Sequence, residues 1–317
     1  MSTVLLTGAS GFIAMHVFQQ LLEAGYTVRA TVRSEGKIPA IARTFAAHDG
    51  KFSFVVVPDI AAEGAFDAAV VGVDYVVHTA SPGTTNVLRA VQQFAPQVRH
   101  VVVTSSMAAI VDVDQGARPG YVYTEADWNP VTLEQGKQDP FTAYRASKKY
   151  AEKTAWAFVE REKPAFGLTV INPPVVWGPM LNDASLDALN TSNQMMYDVI
   201  NGNMAEIKET FMTLWVDVRS VAQAHVRALT APASAGQRYL VSKTRYSWSQ
   251  VVGIIEREFP ELAPRLPTGP RDVPPAGLDV FFGLDGSKAE RDLGVEYIPL
   301  EVCVKDLVGQ LVALERR

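Results

Sequence analysis

Cysteine is almost absent from this sequence. Cys303 is the only one, so no disulfide can form within the chain. That usage suits a reducing compartment, and a cytoplasmic location is expected. An excess of positive charge is missing too: 29 Lys and Arg face 34 Asp and Glu, for a net charge of -5. A mildly acidic protein has no field that gathers phosphates, which argues against a nucleic-acid partner. No apolar run approaches the roughly 20 residues that span a bilayer, so no membrane partner is expected either. The first residues, Met1-Ser2-Thr3-Val4-Leu5-Leu6-Thr7-Gly8, lack a basic stretch and a long apolar core, and read as a strand rather than a signal peptide. The five histidines are scattered without ligand spacing, so no metal site is expected.

Apolar residues are plentiful. Hydrophobic side chains make up 48% of the 317 residues, enough to bury a sizeable core. The length fits one large α/β unit with a smaller appended lobe. Short β-branched runs at 4–7, 27–32, 52–57, 75–79, 101–104 and 168–172 read as parallel strands covered on both faces. Helical spacing at 12–24 and 141–160 alternates with them, which predicts βαβ units in a Rossmann-type, doubly wound parallel sheet. Beyond Pro173 the character changes. Helices are expected at 218–229, 249–258 and 300–314, and six prolines between Pro260 and Pro275 mark an irregular loop. Residues 1–172 are therefore expected to form a dinucleotide-binding domain. Residues 173–317 are expected to form mainly a substrate-binding lobe over the carboxyl edge of the sheet, with some segments returning to the core.

The first loop reads Thr7-Gly8-Ala9-Ser10-Gly11-Phe12-Ile13-Ala14. Gly8 permits the tight turn, Gly11 admits a pyrophosphate, and Ala14 lets helix and sheet pack closely. The loop follows a strand and opens a helix, which is the context the pattern needs. After the second strand the chain runs Thr31-Val32-Arg33-Ser34, with Lys37 one turn on and no carboxylate where a ribose 2′-hydroxyl is usually held. Arg33 offers a planar fork for a 2′-phosphate, so NADPH/NADP+ is the expected cofactor. Asp59 either borders the adenine or caps a turn.

Tyr144-Arg145-Ala146-Ser147-Lys148 places a phenol and an ammonium at i and i+4 on one helix face. An ammonium stabilises a neighbouring phenolate and makes a phenol a usable general acid. A second copy, Tyr239-Leu240-Val241-Ser242-Lys243, lies in a strand-like run. There the pair would stand about 13 Å apart and could not cooperate. The strand at 101–104 ends in Ser105-Ser106, where a hydroxyl can hold a carbonyl oxygen. Met107, Trp177 and Met180 are pocket candidates by position, and each could equally be core. Asp217 reads as the cap of the helix that follows it.

These residues resemble the extended short-chain dehydrogenases/reductases. Within them the chain resembles the fungal aldehyde/ketone and methylglyoxal reductases related to plant dihydroflavonol reductases. The resemblance is carried by residues 7–14, 57–60, 78–82, 103–106, 128–130, 143–149, 172–173, 215–221 and 285–289. It implies that Tyr144 donates the proton, Lys148 holds the nicotinamide ribose and tunes the tyrosine, and Ser106 polarises the carbonyl. It implies 2′-phosphate contacts from Arg33 and Lys37. Ile60, Thr79, Ala80, Ser81 and Thr104 would line the cofactor beside Asp59, and Pro173 and Val175 would approach the nicotinamide. At one point the chain departs from the family, because Pro82 is followed directly by Gly83 without an additional stretch. That leaves open a true deletion with a more open pocket, or a segment missing from the sequence. The expected activity is NADPH-dependent reduction of a small-molecule aldehyde or ketone by a monomer or homodimer. A dihydroflavonol or cinnamoyl-thioester reductase and a non-catalytic NADPH-sensing regulator are the alternatives.

Overall fold

The computed structural model describes residues 2–80, 83–181, 185–210 and 213–316. In chain order the first elements are β1 (Thr3–Thr7), α1 (Phe12–Glu23), β2 (Thr27–Val32), α2 (Ile38–Thr44), β3 (Phe52–Val56), α3 (Asp67–Val70), β4 (Tyr75–His78), α4 (Thr84–Phe94) and β5 (His100–Thr104). Then come β6 (Val122–Tyr123), α5 (Pro140–Glu162), β7 (Gly167–Asn172), β8 (Val175–Trp177), α6 (Thr191–Ile200), β9 (Trp215–Asp217) and α7 (Val218–Ala228). The remainder is β10 (Gln237–Leu240), α8 (Trp248–Glu258), β11 (Gly283–Leu284), α9 (Ser287–Leu293) and α10 (Leu300–Glu315).

Seven parallel strands form the main sheet in the order β3-β2-β1-β4-β5-β7-β10. The order reverses between β1 and β4, whose register pairs Thr7 with His78. A crevice opens at such a switch point outside the carboxyl ends of the strands. β4 and the first four residues of β5 are buried throughout, as their near-continuous apolar runs require. One face of the sheet is covered by a core built on α1 and α7, the other by a core built on α3, α4 and α5. The chain past residue 173 thus returns to the sheet with α7 and β10. A separate core gathers Trp177, Trp215, Tyr246 and Trp248 with α6, α8 and α10.

The expected strands and helices stand within a residue or two of their observed ends. The proline-rich stretch is more ordered at its start than expected, because Pro260–Arg265 forms a 3-10 helix with Pro264 inside it. Asp217 caps α7, its Oδ1 accepting from the Arg219 N–H at 2.8 Å. No helix among the described residues is long and apolar enough to cross a membrane.

Candidate active site

After β1 the chain turns at Gly8, whose φ is +68°. A Cβ there would stand 3.2 Å from the Ala80 Cβ and 3.3 Å from the Thr79 Oγ1. Glycine therefore lets the loops after β1 and β4 close on each other. Gly11 opens α1 with no side-chain cap, so among the described residues the first N–H groups of this 12-residue helix are uncapped at its positive end. A cavity of about 750 Å³ lies over that helix start, lined there by Gly8, Gly11, Phe12, Ile13, Ala14 and Thr79. Uncapped N–H groups and glycine backbone without side chains suit a pyrophosphate, so these residues fit a dinucleotide.

Arg33 and Lys37 stand exposed just beyond β2, Lys37 closing the 3-10 turn Glu35–Lys37. Neither makes an ion pair among the described residues. Ser10 lies between the two loop glycines, half-buried. Asp59 accepts from the Ala61 N–H at 2.8 Å, so it does close a turn. The Ile60 carbonyl accepts from Asn86 and sits 2.7 Å from where a Gly83 Cβ would be. With φ at +107°, position 83 needs glycine on both counts. Ser81, and the Pro82 side of the short junction, lie outside the described residues. The Thr104 hydroxyl pairs with His225 Nε2 at 2.6 Å, outside the lining of this cavity. The Pro173 carbonyl accepts from the Met107 N–H at 2.9 Å, and Pro174 and Val175 line the cavity.

α5 begins cleanly, with Pro140 in its first turn and Asp139 accepting from the Phe141 and Thr142 N–H groups. Its first turns carry Tyr144 to the cavity, 48% exposed, with the Lys148 Nζ 5.8 Å from the phenol ring centre. Burial pulls the Lys148 ammonium below its ordinary value, and the nearby Glu152 carboxylate opposes that shift. Ser106 lines the same cavity at the end of β5. Its Oγ accepts from the Ala108 N–H at 3.1 Å, which leaves the hydroxyl hydrogen free to donate. Ser105 points the other way and donates to buried Glu152 at 2.6 Å. The strand end thus separates two adjacent serines, and only Ser106 can reach a ligand.

Several wall residues carry no local sequence signal. Phe141, Val111, Val113 and Met195 line the cavity beside Met107. Arg145 is buried and pairs with Asp114 at 3.1 Å, tying the 3-10 turn Val113–Gln115 to α5. Trp177 and Met180, offered as pocket candidates, are core residues instead: Trp177 stacks at 5.9 Å on Trp215, and Met180 packs in the same cluster.

The sheet order and the glycine turn at its switch point define a dinucleotide-binding protein of the Rossmann class. The chain belongs to the NAD dependent epimerase/dehydratase family, whose pattern matches residues 4–242. It is 40% identical to the ketoreductase azaE of Aspergillus niger, covering 98% of this chain and 97% of that one. It is 35% identical to the putative NADPH-dependent methylglyoxal reductase GRP2 of Candida albicans, covering 98% of each. Both alignments run over 336 positions, more than the 317 residues of the chain, so the relatives carry residues with no counterpart here. The crystal structure of the yeast methylglyoxal/isovaleraldehyde reductase Gre2 complexed with NADPH superposes with a TM-score of 0.91 at 32% identity, over 99% of both chains.

Proposed function

We propose that this protein is an NADPH-dependent carbonyl reductase that converts aldehydes or ketones to alcohols. The observation that carries this reading is a single cavity lined both by the glycine turn and by Tyr144 and Ser106. Similarity to a ketoreductase and to methylglyoxal reductases supports it.

NADPH, when bound, supplies a hydride to the carbonyl carbon. The Gly8–Gly11 turn and the α1 N-terminus would hold the pyrophosphate, and Arg33 and Lys37 would hold the 2′-phosphate. Ser106 donates its free hydroxyl hydrogen to the carbonyl oxygen and fixes its position. Tyr144 gives that oxygen a proton as negative charge develops on it, and Lys148 stabilises the phenolate that remains. Because Tyr144 is 48% exposed, water can return its proton. Apolar walls from Met107, Val111, Val113, Phe141 and Met195 favour carbonyls with apolar substituents. A cytoplasmic setting, as a monomer or homodimer, belongs to the same reading. Burial pushes the thiol of Cys303, the only cysteine, well up, as suits a structural free thiol.

The test is NADPH oxidation against small aldehydes, diketones, β-keto esters and dihydroflavonols. Turnover of simple aldehydes or ketones with NADPH, and much slower turnover with NADH, is expected. Turnover of dihydroflavonols alone would replace the reading with the plant-type activity. Tight NADPH binding without turnover of any carbonyl would replace it with a sensing role.

A further inference from the structure

Behind the cavity, one buried carboxylate joins the groups assigned to catalysis. Glu152 follows Lys148 by one turn on α5, so Tyr144, Lys148 and Glu152 share a helix face. Its side chain is fully buried, and it lines no part of the cavity that holds Tyr144 and Ser106. Side chains from three neighbouring strands converge on it. From β5, the Ser105 hydroxyl donates to its Oε2 at 2.6 Å. From β7, the Asn172 Nδ2 donates to the same oxygen at 2.8 Å. From β10, the Arg238 guanidinium pairs with its Oε1.

Two of these contacts lead directly to Ser106. Ser105 is its chain neighbour, and Asn172 Nδ2 also donates to the Ser106 carbonyl at 3.2 Å. The carboxylate therefore fixes the backbone on both sides of the serine that faces the cavity. Arg238 is itself held in place, stacked 3.7 Å over Trp128 and donating to the carbonyls of Glu125 and Asp127.

We propose that Glu152 is a positioning residue for carbonyl reduction: it locks the Ser105–Ser106 strand end to α5 and sets its negative charge against the Lys148 ammonium. This rests on the roles given above to Ser106, Tyr144 and Lys148. Charges alternate along the row Lys148, Glu152, Arg238, and without Glu152 the buried Arg238 and the half-buried Lys148 would lose their common counter-charge. Burial disfavours the Lys148 ammonium, and the Glu152 charge opposes that shift. Among the described residues, the other groups facing Lys148 carry no negative charge. His78 on β4 stays neutral because burial lowers its pKa to about 3, and Thr84 on α4 and Thr104 and Ser105 on β5 are hydroxyls. On α5 itself Tyr144 adds no charge while protonated, and beside Glu152 the Trp156 indole N–H donates to Oε1 at 3.4 Å.

Glu152→Gln keeps the shape and removes the charge. Loss of a negative charge makes neighbouring groups release protons more readily, so the alkaline limb of kcat moves to lower pH, by about one unit. Displacement of Ser106 and Lys148 lowers kcat about tenfold to a hundredfold. NADPH affinity, read by quenching of protein fluorescence, changes little, since the glycine turn, Arg33 and Lys37 are untouched. Glu152→Asp keeps the charge on a shorter arm. It should lower kcat while leaving the alkaline limb where it is, and it can be read even where the glutamine variant fails to fold. A glutamine variant with the parent's kcat and pH profile overturns the proposal. So does one whose lower kcat comes with an unmoved limb, since that is the mark of a merely structural residue, and so does an aspartate variant with the parent's kcat. The parent enzyme keeps the two readings apart. A parent inactive on every carbonyl refutes the reductase itself, whereas an active parent that loses turnover in Tyr144→Phe but not in Glu152→Gln refutes only the role of Glu152.

Discussion

The chain contains the same five-residue spacing twice, and the two copies have opposite fates. On α5, Tyr144 and Lys148 lie one helical turn apart, with the phenol on the cavity and the ammonium 5.8 Å from its ring. On β10, Tyr239 is completely buried, and its hydroxyl donates to the Ala233 carbonyl at 3.3 Å. Its pKa is pushed far up by burial, so it has no usable acidity. Lys243 leaves that strand to pair with Glu290 on α9, and the cation near the Tyr239 ring is Lys288 instead, at 5.0 Å. A tyrosine and a lysine four apart become a chemical unit only where the backbone repeats every 3.6 residues. In a strand the same spacing separates them.

Substitutions that treat the two copies alike should therefore give unlike results. The largest effect is expected from Lys148→Met, which removes the ammonium that stabilises the Tyr144 phenolate. Steady-state kinetics should show kcat falling by about 10²-fold or more. A variant with parental kcat would remove the distinction between the copies. Next comes Arg33→Ala, which probes the 2′-phosphate contact proposed just beyond β2. A charge-assisted hydrogen bond of roughly 1.5–3 kcal/mol predicts a loss of about 10- to 150-fold in NADPH affinity. NADH affinity should hardly change, and equal losses for the two nucleotides would make Arg33 structural.

Acid should weaken the framework beneath both copies. Burial lowers His78 to about 3, and His100 and His225 to about 4, below the ordinary 6.5. In this range the unfolded chain binds protons that the folded one refuses, so stability is lost as pH falls from about 6.5 toward 4, at up to about 1.4 kcal/mol per unit for each group. Thermal melting across pH 7 to 4 should show a falling midpoint, and a flat midpoint would mean that these histidines are not held neutral. The smallest effect belongs to Lys243→Met. Its pair with Glu290 is about half exposed, which is worth roughly 0–1 kcal/mol in the melt and nothing in kcat.

Much of this was legible in the sequence because the signals are local. Continuous β-branched runs marked the buried parallel strands, and a glycine turn between a strand and a helix marked the cofactor end. The choice between the two tyrosines needed only the periodicity of the segments that hold them. What was not legible depends on contacts between distant segments. Glu152 sits on the legible face of α5, but its partners Asn172 and Arg238 lie 20 and 86 residues away. The far wall of the cavity comes from α6, a ten-residue helix with no motif, and from short 3-10 turns. Trp177 and Met180 stood near the motifs in sequence, yet they turn into the separate core with α6, α8 and α10 because aromatic packing with Trp215, Tyr246 and Trp248 claims that space.

The most direct measurement compares Tyr144→Phe with Tyr239→Phe in one NADPH oxidation assay, with nucleotide affinity measured on both. The first should lose about 10²–10⁴ in kcat while still binding NADPH, because a general acid typically contributes that much. The second should turn over like the parent and melt slightly earlier, having lost a buried hydrogen bond of about 1 kcal/mol. Parental turnover in Tyr144→Phe, or equal losses in the two variants, would contradict the assignment of Tyr144 as the proton donor.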